Sequence, residues 1–115
     1  MSRRLCFALD LVDDAAKIAE YEAYHGPGRV WPAIVDDIKA QGFEGMEIWR
    51  SGNRMVMIAT VADDFPRSRP IPPDYDEWET LMWSFQQALP HAEPGQKWVP
   101  MTKIFDLAEQ TGGKG

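Results

Sequence analysis

Three short stretches of alternating apolar residues, the first set off from the other two by stretches of helical period, restrict this chain more than any other feature. From Arg4 to Leu11, the side chains of Leu5, Phe7, Leu9 and Leu11 share one face while Cys6, Ala8 and Asp10 share the other, the period of two that a strand requires. Met46 to Arg50 and Arg54 to Val61 read as two more strands, joined by Ser51-Gly52-Asn53, which has the turn chemistry of a hairpin. Between the first strand and the hairpin, Asp13 and Asp14 offer caps to a helix with Ala15, Ile18, Tyr21 and His25 on one stripe, and Gly26-Pro27-Gly28 breaks it. A second helical stretch restarts at Trp31 with Pro32 in its first turn, carries Ile34, Val35 and Ile38 on the same side, and stops at Gly42.

The polar, proline-rich segment from Ala62 to Asp74 reads as a loop, and Asp74 or Asp76 caps a third helix. Its stripe of Trp78, Leu81, Met82, Phe85 and Leu89 runs until Pro90. After a Pro/Gly connection, Trp98 to Leu107 is compatible with a last strand. The order strand, helix, strand, strand, helix, strand predicts one α+β domain over residues 1–110, with a disordered tail at 111–115. The expected architecture is a ferredoxin-like sandwich, an antiparallel sheet with helices on one face. The other face would stay bare. Trp49 beside Ile48 and Val56 beside Met57 give it apolar surface to bury, so a homodimer that closes sheet against sheet into a dimeric α/β barrel is expected.

The charge balance narrows the partners. Twelve Lys and Arg stand against eighteen Asp and Glu, with no basic block, so the electrostatic term that nucleic-acid binding needs is missing. No apolar run approaches the roughly 20 residues of a membrane span, and the expected location is the cytoplasm. Cys6 is the single cysteine and there are two histidines, which excludes an internal disulfide and leaves no ligand set for a structural zinc. The chain lacks a nucleophile elbow, a phosphate-binding glycine loop and a His-Glu-x-x-His pattern. Proton chemistry without a cofactor or metal is what remains for an enzyme.

His25 is the leading candidate for that chemistry, because it lies on the inward stripe of its helix and imidazole exchanges protons near neutrality. A histidine simply packed at a helix end is the competing reading. Tyr21, one turn earlier, shares the side of His25 and can address the same small ligand, or serve as a core-edge residue. Tyr24 falls off the stripe and is expected to be exposed. Trp83, beside Gln86 and Gln87, offers an aromatic face and amides to a sugar, or is buried under the loop from Ala62 to Pro73. Trp31 and Trp78 belong to the core, and the strand carboxylates Asp10 and Glu47 are weak candidates.

Several pieces together carry a family resemblance: Glu20-Tyr21 followed by His25, then Trp31-Pro32, Met46-Glu47-Ile48-Trp49, a helix ending Leu89-Pro90, and Lys103-Ile104-Phe105. In this order the sequence resembles the L-rhamnose mutarotase family from Arg4 to Leu107. The resemblance implies a homodimer of ferredoxin-like subunits that interconverts the α and β anomers of a 6-deoxy-L-sugar, with no cofactor and no metal. It further implies His25 as the proton donor and Tyr21 as a substrate contact. Met46 stands where rhamnose-type members carry a substrate-contacting tyrosine, and Leu81 and Met82 stand where they carry paired tryptophans, with Trp83 immediately after. The segment between His25 and Trp31 is longer by two residues. These departures point to the branch associated with L-fucose, with Met46, Leu81, Met82 and Trp83 joining Tyr21 around the sugar. Another cofactor-free enzyme on the same scaffold, such as an oxygenase, and a non-catalytic sugar-binding or oligomerisation module are the alternatives.

Overall fold

The computed structural model describes residues 2–110, so the expected tail at 111–115 lies outside the described residues. Strand β1 (Arg3–Leu11) is followed by helices α1 (Ala15–Tyr24) and α2 (Pro32–Ala40), the hairpin strands β2 (Phe43–Ser51) and β3 (Arg54–Val61), helix α3 (Tyr75–Trp83), and two short strands, β4 (Gln86–Gln87) and β5 (Val99–Pro100). The sheet order is β2-β3-β1-β4, antiparallel throughout, with β5 also paired to β1. This is the ferredoxin-like α+β arrangement that the element order predicts.

Local chemistry accounts for the boundaries. Asp14 caps α1 by accepting from the Lys17 amide at 3.0 Å, and Pro32 opens α2, where its missing N–H costs nothing. Gly42 ends that helical stretch at φ +110, so close to Phe65 that a Cβ would sit 3.3 Å from the phenylalanine Cβ. The hairpin turns at Gly52 with φ +60, and a bulge between Phe43 and Gly45 restores the register of β2 on β3.

The alternation in β1 and β3 sorts the side chains as expected. Leu5, Phe7 and Leu9 oppose Ala59, Met57 and Met55. Leu9, Leu11 and Met55 join Tyr21, Ile34, Trp78, Met82 and Phe85 in one buried cluster, which places the helices on this face. On the other face Trp49 is 62% exposed.

Three expectations are corrected. Helix α3 ends at Trp83 rather than running to Leu89. The Ser84 hydroxyl bonds back to the Leu81 carbonyl, the chain leaves the helix, and Gln86 and Gln87 satisfy backbone groups of Leu11 and Asp10. Phe85 and Leu89 are buried all the same, because their apolar surface can be covered from a turn as well as from a helix. The closing strand shrinks to Val99–Pro100. Its pairing with β1 ends where the Met101 amide donates to the Cys6 carbonyl, and Ile104 and Phe105 beyond it are exposed. Tyr24 is half-buried rather than exposed, with its ring 5.8 Å from Phe85 and 6.4 Å from Trp78.

A buried carboxylate on α2 helps to clamp the long loop. Arg69 donates from Nε and Nη2 to the two carboxylate oxygens of Asp37, at 2.8 and 3.1 Å, and Gln41 Nε2 adds a third bond at 3.0 Å. Asp37 is buried, so removing its cation strands a charge in a dry place. Arg69→Met is expected to lower the unfolding free energy by about 3 kcal/mol in urea titration; a loss under about 0.5 kcal/mol would mean that the clamp carries nothing.

Candidate active site

Helix α1 supplies the two side chains at the centre of the site. The His25 amide closes the last turn on the Glu22 carbonyl at 3.0 Å, which leaves the Tyr21 carbonyl to the His25 ring, with Nδ1 2.8 Å away. A carbonyl only accepts, so Nδ1 carries the proton and Nε2 holds the lone pair of the neutral ring. The imidazole lies against the Tyr21 ring, centroids 4.3 Å apart, and 5.9 Å from Trp78. Burial among these rings lowers its pKa below 6.5, and the bond to the Tyr21 carbonyl opposes the shift only in part. The neutral form is therefore favoured at neutral pH, with Nε2 as an acceptor.

Tyr21 is held as the complementary group. Its phenol is buried, edge-on to Phe85, and its Oη accepts from Gln86 Nε2 at 3.1 Å. Burial pushes the pKa up to about 12; the Gln86 bond opposes this and the Glu79 carboxylate adds to it. The hydroxyl thus keeps its proton.

These residues wall a cavity of about 430 Å³ between the helices and the sheet, together with Met46, Met82, Glu79 and Lys97. It is within the usual range for small-molecule sites, roughly 300–1,000 Å³. An adjoining depression of about 310 Å³ shares Tyr21, His25, Met46 and Ile48 and carries Glu22 and Arg50 on its rim. Three ion pairs border the space: Arg50 Nε to Glu22 Oε2 at 2.6 Å, Lys97 Nζ to Glu79 Oε1 at 2.8 Å, and Arg69 Nε to Asp37 Oδ1 at 2.8 Å. Among the described residues, no three His, Cys, Asp or Glu side chains converge as a metal site, and no helix is long and apolar enough to cross a membrane.

Of the residues singled out from sequence, His25, Tyr21, Met46 and Met82 come together on this wall. Leu81 does not line it. It borders a separate depression with Trp31, Glu77 and Thr80. Trp83 is not on the wall either; its ring carries Lys97 Nζ 5.0 Å from the centroid. Both are displaced because α3 offers the cavity its Trp78 and Met82 edge. Asp10 is bound by Arg54, and Glu47 is exposed and accepts from Trp49 Nε1; neither lines the cavity. Sequence reasoning offered the Gln86 amide to a sugar beside Trp83, and of these two Gln86 alone lines the cavity; it overlooked Glu79 and Lys97. The available signal was Ser84, a residue that competes for helix carbonyls and so favours helix ends.

Comparison with known proteins identifies the family. The family model for L-rhamnose mutarotase matches residues 4–107. An L-fucose mutarotase of Xanthomonas campestris pv. campestris is 46% identical over 112 residues, spanning 93% of this chain and 90% of the relative. The crystal structure of an L-rhamnose mutarotase from Formosa agariphila superposes with a TM-score of 0.65 at 19% identity, covering 90% of this chain and 97% of that one. The fold and the cavity define an α+β protein with a site for a small molecule. With these matches, it belongs to the L-rhamnose mutarotase family and is a carbohydrate isomerase.

A histidine whose pKa falls on folding stabilises the native state above its unfolded value, about 6.5, and that contribution is lost as the pH drops below it. The unfolding free energy is expected to decline as pH is lowered through about 6.5, and His25→Gln to flatten the decline. NMR titration of the ring is expected to give a midpoint below 6.5 with Nδ1 protonated in the neutral form; a midpoint at or above that value contradicts the dry environment.

Proposed function

We propose that this protein is a mutarotase that interconverts the α and β anomers of a 6-deoxy-L-sugar, with L-fucose preferred over L-rhamnose. The observation that carries the reading is an imidazole, tied down at Nδ1, that shares one sugar-sized cavity with a buried phenol. The preference for L-fucose is supported by the 46% identical L-fucose mutarotase. It is also supported by Met46 and Met82, which give the cavity thioether surface where rhamnose-type relatives are expected to place aromatic groups.

His25 Nε2 accepts the proton of the anomeric hydroxyl as the bond from C1 to the ring oxygen breaks, and the ring oxygen takes a proton from solvent. The open aldehyde turns about its C1–C2 bond and closes on the other face. The imidazolium then returns its proton to the anomeric oxygen, and the ring oxygen releases the one it took. No electrons are transferred and the sugar's composition is unchanged. His25 thus serves as the base of ring opening, where the sequence reading expects the acid, because Nδ1 is engaged and the lowered pKa favours an unprotonated Nε2; it acts as an acid only when the ring closes. Tyr21 donates to a sugar oxygen throughout, because a phenol with a pKa of about 12 does not surrender its proton.

The bare sheet face, with Trp49 exposed and Val56 and Ile58 half-buried, fits a homodimer closed into a barrel, in the cytoplasm. A species that stays monomeric at every concentration in sedimentation velocity would oppose this assembly.

The test of the activity is saturation-transfer NMR on the anomeric protons of L-fucose and L-rhamnose. Exchange above buffer is expected for both, faster for L-fucose, with the pH profile levelling off above a midpoint below 6.5. Folded His25→Ala is expected to lose about 10²- to 10⁴-fold. An unchanged rate in this variant removes His25 from the mechanism, and consumption of oxygen or of the sugar itself would favour a different enzyme.

A further inference from the structure

Gln86 is buried, 7% exposed, and lines the same cavity as Tyr21 and His25. Its Nε2 is committed to the Tyr21 hydroxyl at 3.1 Å, while its Oε1 has no hydrogen-bond partner among the described residues. A buried acceptor without a donor is costly unless something else supplies one. The bond to Tyr21 has a second effect. By accepting from the amide, the phenol oxygen is left with its own hydrogen undirected toward protein, free for a ligand. A donor and an acceptor therefore stand side by side, which suits one sugar hydroxyl that both accepts and donates, or two neighbouring hydroxyls. Gln86 reaches this place only because α3 stops at Trp83 and β4 pairs Gln86 with Leu11.

We infer that Gln86 is a specificity-determining residue of this site, which aims the Tyr21 hydroxyl at the bound sugar and accepts a hydrogen bond from one sugar hydroxyl at Oε1. The inference rests on the mutarotase reading and deepens it. It separates Gln86 from a residue that merely fills space, since a filler is indifferent to which hydroxyl the sugar carries.

The experiment pairs protein variants with substrate analogues. Anomer exchange is measured by NMR for L-fucose and its 2-, 3- and 4-deoxy analogues, using wild type, Gln86→Met and Gln86→Glu, each checked for a native near-ultraviolet spectrum. Wild type is expected to lose about 10- to 100-fold in kcat/KM on one analogue relative to L-fucose. Gln86→Met is expected to lose a similar factor on L-fucose and to handle that one analogue no worse than the parent sugar. Gln86→Glu keeps the shape but draws the Tyr21 proton to itself, so it is expected to raise KM for every sugar. Were Gln86→Met to fold poorly, Gln86→Glu together with the wild-type analogue series decides the matter. The inference is overturned if no analogue discriminates in wild type, if Gln86→Met stays within about twofold of wild type, or if the variants lose the same factor on every sugar without a change in KM. Wild type that exchanges neither L-fucose nor L-rhamnose overturns the mutarotase reading and this inference together, whereas an active wild type with indifferent Gln86 variants overturns this one alone.

Discussion

The hydrogen bonds along both edges of β1 hold the rest of the molecule in place. On one side β3 pairs with the strand from Arg3 to Asp10; on the other, β5 takes Phe7 and Ala8 while β4 takes Asp10 and Leu11. A strand buried between neighbours cannot leave its amides and carbonyls unpaired, so the segments after α3 are drawn back to it. That demand cuts α3 short, turns Gln86 inward under Tyr21, and carries Lys97 and Trp98 to the cavity wall. The same strand presents Leu9 and Leu11 to the helices, and so seats Tyr21 in the core. The site is largely a consequence of how one strand satisfies its main chain.

Within that frame, low polarity is what makes the two central groups useful. In water, imidazole would be partly protonated near neutrality and phenol would have a pKa of about 10. Here both are pressed against aromatic rings, and both settle in their uncharged forms, one as acceptor and the other as donor. The charged groups that line the space are set apart from them in ion pairs, Glu22 with Arg50, Glu79 with Lys97 and Asp37 with Arg69. Such a division suits a substrate that is neutral and rich in hydroxyls, since hydrogen bonds rather than ion pairs have to hold it.

Much of this is legible in the sequence, and the part that is not follows one rule. Periodicity reveals β1, the hairpin and the first two helices, because their apolar residues can be buried only from one regular conformation. The stripe through Tyr21 and His25 likewise identifies two residues of the site. Beyond Trp83 the pattern misleads. Phe85 and Leu89 continue a helical spacing but are covered from irregular chain, and what decides their conformation is the empty edge of β1, a tertiary demand with no local trace except Ser84. The errors at Leu81 and Trp83 have another origin, since both lie within α3, which turns its Trp78 and Met82 edge to the cavity. Tyr24 was misread for a simpler reason, since a half-buried aromatic at the margin of a stripe packs on Trp78 and Phe85 without belonging to the stripe.

The way α1 terminates has a consequence for reactivity. In an uninterrupted helix the Tyr21 carbonyl would receive the amide of the residue four positions on, which is His25. Because the final turn tightens, that amide goes to Glu22 instead, and the vacated carbonyl captures the imidazole. The choice of which ring nitrogen meets the outside world is thus made by a main-chain stop signal, Gly26-Pro27-Gly28, with no aspartate or glutamate needed to orient the ring. Insertions or replacements in that glycine-proline punctuation, although it lines neither the cavity nor the adjoining depression, would act as tautomer mutations.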